Sequence, residues 1–140
     1  MRQVFLDTNI LLEVVLERNK KKACDQILQA GRDGEVRLYA SFLTFANMAY
    51  VLKRKKFDRR WIYRTEQIME KMLTVLPMDG DQLRAALSRE VKDFEDMLQY
   101  QSAVAGKCDC IVTINVGDFK EFSTLPVYSP DDLLDLLDAE

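Results

Sequence analysis

Three aspartates lie where acidic side chains from distant parts of the chain could act together. Asp7 comes directly after the apolar run Val4–Leu6, and Asp118 follows the run Cys110–Asn115. Asp96 begins a late helical pattern. Because the carboxyl ends of parallel strands meet at one edge of a sheet, we expect these acids to converge on one crevice. Converging carboxylates favour a cation between them, so the pattern predicts a metal-dependent active site.

Each of these acids also has a purely structural explanation. Asp7 precedes a helical pattern and could be an N-cap, while Asp118 could belong to an Asx turn. Asp96 could stabilise the first turn of its helix through the macrodipole. Asp93 lies three residues before Asp96, however, and two like charges on one helix face are unfavourable unless a cation compensates. Three or four such oxygen donors suit Mg²⁺ or Mn²⁺, which can activate a water molecule for attack on a phosphodiester.

The composition narrows the class of protein. The 140 residues fit one domain spanning residues 1–140, and 48% hydrophobic with 31% charged residues is an ordinary soluble balance. Acidic residues interrupt the longest apolar stretches, so we expect neither a transmembrane helix nor a secretory signal. The chain has no histidine, which excludes Ser-His-Asp and Cys-His catalysis and every histidine-ligated zinc site.

The three cysteines indicate a reducing compartment. Cys24, Cys108 and Cys110 are an odd number and form no paired framework. We interpret them as reduced thiols in a cytoplasmic protein. Two thiols in a Cys-x-Cys spacing are too few for a structural zinc, which needs four ligands.

One basic segment stands out from an otherwise acidic chain. The net charge is -3, which argues against a protein that coats nucleic acid electrostatically. Within residues 53–64, four side chains are candidates for holding the phosphates of a nucleic acid, and Trp61 or Tyr63 could stack on a base. The alternative is a solvated helix end with Trp61 packed in the core. The four candidates are Lys53, Arg54, Lys56 and Arg60.

Apolar runs alternate with helical patterns along the chain, which predicts an α/β fold. We expect a three-layer sandwich, in which helices flank a central parallel sheet of four to five strands. The predicted strands are Val4–Leu6, Val36–Ala40, Thr74–Leu76, Cys110–Ile114 and Pro126–Tyr128. The predicted helices cover Thr8–Glu17, Lys20–Ala30, Ser41 or Thr44 to Lys56, a segment after Asp58, Asp79–Arg89, Glu95–Ala105 and a segment from Pro130.

Four stretches in this order resemble the PIN-domain ribonucleases, including the VapC-type toxins of toxin–antitoxin pairs. They are Phe5–Asn9, Ser41–Asn47, Asp93–Gln99 and Thr113–Phe119. Each motif alone is weak, but four in sequence cover nearly the whole chain. The resemblance implies a parallel sheet between helices and cleavage of RNA by metal-activated water in an acidic pocket. It also implies an antitoxin protein as partner and a homodimer.

The resemblance assigns roles to individual residues. It makes Asp7, Asp96 and Asp118 the acids that bind Mg²⁺ or Mn²⁺, and Asp93 a supporting acid. Asn115 would orient Asp118.

One further position has a candidate role by the same resemblance, and two positions depart from the family pattern. Thr8 is a candidate for holding a metal-bound water. The chain departs from the family at Asn47, where many members have Glu, and at Ile114, where Arg is common. Asn47 would supplement the pocket without adding charge.

The sequence argues against two other functions and leaves a third open. A phosphatase of the haloacid-dehalogenase type needs a second Asp two residues after the first, where this chain has Asn9. A receiver domain needs an Asp directly after a middle strand, and neither Val36–Ala40 nor Thr74–Leu76 is followed by one. A PIN scaffold that binds RNA or protein without cutting is the third alternative, and Asn47 motivates it.

Overall fold

The computed structural model describes residues 1–140, and five strands alternate with eight helices along the chain. The strands are β1 Arg2–Leu6, β2 Val36–Ser41, β3 Thr74–Leu76, β4 Cys110–Val112 and β5 Val127–Tyr128. The helices are α1 Thr8–Val15, α2 Lys21–Arg32, α3 Phe42–Arg54, α4 Arg59–Met72, α5 Gly80–Leu87, α6 Phe94–Ala105, α7 Val116–Lys120 and α8 Pro130–Asp138.

The five strands form one parallel sheet in the order β3-β2-β1-β4-β5. The predicted α/β fold with a central parallel sheet is therefore confirmed. The chain builds outward from β1 to β3 on one side and then continues through β4 and β5 on the other. The strand order thus reverses between β1 and β4, where Leu6 pairs with Val112. In an open sheet of this kind, the crevice at such a switch point is where ligands bind.

Apolar side chains cover both faces of the sheet. Val4 and Leu6 belong to one buried cluster, while Phe5 between them belongs to a second cluster on the opposite face. Consecutive residues of a strand point to opposite faces, so a strand buried on both sides reads as an uninterrupted apolar run. All three residues are fully buried. This packing fixes the end of β1, and hence the backbone from which Asp7 projects.

The structure also corrects several sequence predictions. The fourth strand ends at Val112 rather than Ile114, because Thr113 uses its hydroxyl to accept a hydrogen bond from the Asn115 backbone N–H and turns the chain. Helix α7 was not predicted, because five residues are too few to show a helical period. Trp61 is not a core residue; its ring stacks on Phe57 at 4.2 Å between centroids and remains 36% exposed.

Two local predictions about α3 and α4 hold in the structure. Ser41 caps α3 by accepting a hydrogen bond from the Leu43 N–H, and Asp58 caps α4 by accepting one from Trp61.

All three cysteines are buried and free. None of the helices has the length and apolar character needed to span a membrane.

Candidate active site

Asp7 lies at the carboxyl end of β1, beside the switch point of the sheet, and is 1% exposed. It occupies the N-cap position of α1, but its side chain caps no helix N–H. Instead, Oδ1 accepts a hydrogen bond from Nε2 of Gln99 at 2.8 Å, and Oδ2 accepts one from the hydroxyl of Thr113 at 2.8 Å. The capping explanation for Asp7 is therefore wrong. Its carboxylate is held by residues from α6 and from the end of β4.

Hydrogen bonds also fix the side chain of Gln99, which donates to Asp7. Oε1 of Gln99 accepts a hydrogen bond from the Thr8 backbone N–H at 3.1 Å, which fixes the orientation of the Gln99 amide. The hydroxyl of Thr8 lies 2.8 Å from that of Thr44 on α3. Thr8, a candidate for holding water, is thus engaged with a neighbouring side chain. These contacts tie β1, α3 and α6 together around one carboxylate.

Sequence analysis missed the roles of Gln99 and Thr113. Gln99 lies three residues after Asp96 and therefore on the same helix face, which was an available signal. Thr113 carries the single hydroxyl of its apolar run, directly follows the buried strand Cys110–Val112, and is itself fully buried. A buried hydroxyl needs a partner, so its position at a strand end could have indicated the contact with Asp7.

Burial dominates the ionisation of Asp7. It raises the pKa of this carboxyl above its ordinary value, since a buried charge loses its hydration. The hydrogen bonds from Gln99 and Thr113 act in the opposite direction. The donors around Asp7 therefore stabilise its charged form against a strong desolvation penalty.

Asp96 faces the same crevice from the first turn of α6 and is 5% exposed. Its Oδ2 atom is buried and has no hydrogen-bond partner. The pKa of Asp96 rises to about 8, first because of burial and then because of repulsion from four other carboxylates. These four are Asp7, Asp93, Asp118 and Glu95. A buried oxygen without a partner is costly, and a cation is the group that would satisfy it.

The acids act on one another through space without forming a finished coordination shell. No three acidic, cysteine or histidine side chains are arranged closely enough to hold a metal ion as they stand. Repulsion between carboxylates extends further than a coordination bond, so both observations describe one open acidic pocket. Oxygen donors in this number, without nitrogen or sulfur, match hard divalent cations.

Asp93 and Asp118 lie at the edge of this pocket and each has another contact. Oδ1 of Asp93 accepts a hydrogen bond from the Asp96 backbone N–H at 3.1 Å, so Asp93 caps α6. Oδ1 of Asp118 accepts a hydrogen bond from the ammonium of Lys92 at 3.2 Å. Lys92 was not among the predicted site residues. It places a positive charge directly on an acid of the pocket.

Asn115 contacts Asp118 through its backbone. Its carbonyl accepts a hydrogen bond from the Asp118 N–H at 3.1 Å. Its side chain makes no capping hydrogen bond at the start of α7. The role of Asn115 in orienting the Asp118 carboxylate stays a prediction.

Asn47 reaches the pocket from α3. Its Nδ2 atom donates a long hydrogen bond of 3.4 Å to Oε2 of Glu95 on α6. The contact joins two residues, on α3 and α6, that are 48 positions apart in the sequence. Sequence analysis did not include Glu95 among the site residues.

The predicted RNA-binding side chains lie away from the buried acids, around the end of α3 and the start of α4. All four, Lys53, Arg54, Lys56 and Arg60, are exposed. Arg54 donates a hydrogen bond to the hydroxyl of Tyr50 at 3.0 Å, and its guanidinium lies 5.7 Å from the centre of that ring. Tyr50 is 61% exposed and lies between Asn47 and Arg54 along α3. An exposed basic and aromatic face therefore extends from the pocket along this helix.

A second basic face lies on α4. It surrounds an open hollow of about 790 Å³ that contains none of the pocket acids. Its lining residues are Asp58, Arg59, Arg60, Tyr63, Arg64 and Gln67.

Several solved structures share this fold. A chain of VapBC2 from Rickettsia felis, bound to a DNA fragment from its promoter, is 19% identical with a TM-score of 0.67, over 91% of this chain and 98% of that chain. A chain of FitAB bound to an IR36 DNA fragment is 18% identical with a TM-score of 0.69, over 91% and 94%. A chain of VapBC-1 from nontypeable Haemophilus influenzae is 19% identical with a TM-score of 0.66, over 92% and 98%. At these identities, the likeness is one of fold.

The amino-acid sequence was also compared with curated proteins and with protein families. No curated protein matches the chain. The family described as PIN domain matches residues 3–117, a span that includes β1, the acids of α6 and the strand end at Thr113. The chain belongs to the PIN domain family.

Proposed function

We propose that this protein is a metal-dependent endoribonuclease that hydrolyses RNA phosphodiester bonds within a single domain spanning residues 1–140. Proteins of the PIN domain family are typically nucleases that use divalent metal ions. The observation that carries the proposal is the buried Oδ2 atom of Asp96, which has no partner and faces a group of acids at the switch point of the sheet. A pocket of this kind is electrostatically incomplete without a cation.

Mg²⁺ or Mn²⁺ fits the donor set. Asp7, Asp96 and Asp118 would hold the ion, and Asp93 and Asn47 would supplement the pocket. When bound, such an ion lowers the pKa of a coordinated water and polarises a phosphate oxygen. This chemistry requires no protein nucleophile, which agrees with a chain that contains no histidine.

The surrounding residues prepare the acids for that role. The amide of Gln99 and the hydroxyl of Thr113 each donate to one oxygen of Asp7, so both oxygens are oriented before any ion binds. The anchoring of Gln99 by the Thr8 N–H limits rotation of its amide. Preorganisation of this kind reduces the cost of bringing the acids together.

The basic and aromatic face on α3 supports RNA as the substrate. Lys53 and Arg54 could hold phosphates, and the exposed ring of Tyr50 offers a stacking surface for an unpaired base. Arg54 lies seven residues beyond Asn47, or about 10 Å along the helix. This distance is within the reach of an RNA strand that enters the acidic pocket.

The test is cleavage of a fluorescent single-stranded RNA by the purified protein. We expect cleavage with Mn²⁺ or Mg²⁺ and none in the presence of a chelator. Binding of the RNA without cleavage under either metal would instead support the alternative function, a non-catalytic PIN scaffold. The neutral Asn47 in an otherwise acidic pocket motivates that alternative. Folded transfer RNA in the same assay would narrow the class of substrate.

The solved structures with the same fold are the basis for proposing an antitoxin partner. The matched chains of VapBC2, FitAB and VapBC-1 come from complexes of that name, and a toxin role for this chain would require a corresponding inhibitor protein. A homodimer is proposed on the same ground. Co-purification with the product of a small neighbouring gene, and loss of RNA cleavage in that complex, would test the toxin role.

Replacing Lys92 by Gln should raise the affinity for Mn²⁺ by about two- to fivefold at low ionic strength. The ammonium of Lys92 pairs with Asp118 and repels any other cation that approaches this carboxylate. The effect is modest because the side chain of Lys92 is 75% exposed and solvent screens its charge. Isothermal titration calorimetry measures the affinity, and Lys22→Gln on α2 is a matched control. An affinity lower than that of the unmodified protein would contradict this role of Lys92.

A further inference from the structure

We propose that Glu95 is an additional acid of the metal pocket and that Asn47 is the residue that positions it. This inference rests on the proposed function and extends it to two residues on facing helices. Asn47 then contributes through its amide group as a hydrogen-bond donor. The charge on this side of the pocket comes from Glu95 on α6.

The contact between the two side chains has a defined direction. The amide nitrogen of Asn47 donates to Oε2 of Glu95 at 3.4 Å, so a neutral side chain on α3 holds a carboxylate from α6. An amide is well suited to this task because its NH₂ group carries two donors and no charge. A carboxylate in place of Asn47 would face Glu95 with no proton to share.

Glu95 also influences the buried acid at the centre of the pocket. It is one of the four carboxylates that act electrostatically on Asp96. Asp96 has a buried oxygen without a partner, and this is independent evidence that a ligand is missing between these groups. A cation that satisfies Asp96 would therefore also experience the charge on Glu95.

Glu95 is not needed to cap the start of α6. Acids in the first turn of a helix commonly complement its dipole, and Glu95 is in the first turn of α6. The side chain of Asp93, however, already caps this helix by accepting from the Asp96 N–H. The carboxylate of Glu95 contacts a side chain on another helix instead of its own backbone.

The experiment measures Mn²⁺ binding by isothermal titration calorimetry, with no RNA present. We expect Glu95→Gln to weaken binding by about tenfold, as is typical when a group that supports a metal site is removed. We expect the double variant Asn47→Glu/Glu95→Gln to recover most of this loss. It exchanges donor and acceptor across the same contact and keeps the number of charges constant.

Two further variants make the result specific. Glu70→Gln on α4 removes one exposed negative charge that does not belong to the acidic pocket and should leave Mn²⁺ affinity unchanged. Asn47→Ala removes the donor but no charge, so we expect a loss smaller than that of Glu95→Gln. Thermal melting of each variant shows whether it is folded.

The possible results separate this inference from the proposed function. Unchanged affinity in Glu95→Gln, or a double variant as weak as Glu95→Gln alone, would overturn the inference. If one of these results is obtained but the unmodified protein binds Mn²⁺ and cleaves RNA, the proposed function still holds. If the unmodified protein binds no divalent ion, both are wrong.

Discussion

Replacing Asp96 by Asn should reduce RNA cleavage by at least about 100-fold, with little loss of folding. Groups that merely support a metal site typically cost 10- to 100-fold when removed, and we place Asp96 at the centre of this one. The substitution preserves shape and removes the carboxylate that lies among four others, so no negative charge can form at this position. Cleavage rates with Mn²⁺, measured under single-turnover conditions, check this expectation.

Asp96 is a better test position than Asp7. Both oxygens of Asp7 accept hydrogen bonds from donors, so an amide at this position would place a donor against Gln99 or Thr113. Asp7→Asn could therefore lose activity by distorting the site, whereas Oδ2 of Asp96 has no partner to lose. Asp138→Asn on α8 is the matched control and should retain full activity. Unchanged cleavage in Asp96→Asn would refute the assignment of the acidic pocket.

The unmodified protein should become less stable as the pH rises from about 5 to 8 in the presence of a chelator. The pKa of Asp96 is about 8 in the folded protein, against an ordinary value of 3.8. Between these values, the folded state binds a proton that the unfolded state has released. The contribution of Asp96 to the free energy of unfolding is therefore fully present below about pH 4. It is lost as the pH rises through the pKa of the folded protein. The raised pKa of Asp7 acts in the same direction.

The Asp96→Asn protein should lose less stability over the same range. At pH 9 we expect its melting temperature to exceed that of the unmodified protein by about 3 °C or more, since about 1 kcal/mol shifts a domain of this size by that amount. At pH 5 the two melting temperatures should be similar, because Asp96 is then protonated. A constant difference at both pH values would show that Asp96 is not the titrating group.

Few other groups can produce a transition in this pH range. The chain has no histidine. Burial raises the pKa of Cys24 and of Cys108 to about 12, and that of Cys110 to about 11. Acetylating the α-amino group provides one control. Burial also raises the pKa of Glu66, so Glu66→Gln provides a second. A stability transition that persists after both changes is attributable to the acidic pocket.

These two predictions describe one property of the pocket. Collecting carboxylates in a buried crevice destabilises the metal-free protein, and the same repulsion provides the affinity for a cation. A variant that becomes more stable while losing activity is the expected signature of such a site. Added Mn²⁺ should therefore raise the melting temperature of the unmodified protein more than that of Asp96→Asn.

Much of the architecture was predictable from local sequence patterns. The apolar runs at β1, β2 and β3 predicted the positions of those strands. The run at β1 is the clearest, because a strand buried on both faces carries few polar residues. Cap residues such as Ser41 and Asp58 marked helix starts within a residue. Short elements were harder, and α7 was missed, because five residues cannot reveal a period of 3.6.

The site was predictable only as a set of residue types at strand and helix ends. The sequence by itself determined that Asp7 follows a buried strand and that several acids are concentrated at the start of α6. Which atoms meet was decided by the tertiary structure. Gln99 lies 92 positions from Asp7, and Glu95 lies 48 positions from Asn47. No local pattern encodes such contacts, because they depend on how the strands are ordered in the sheet and how α3 and α6 pack around its switch point.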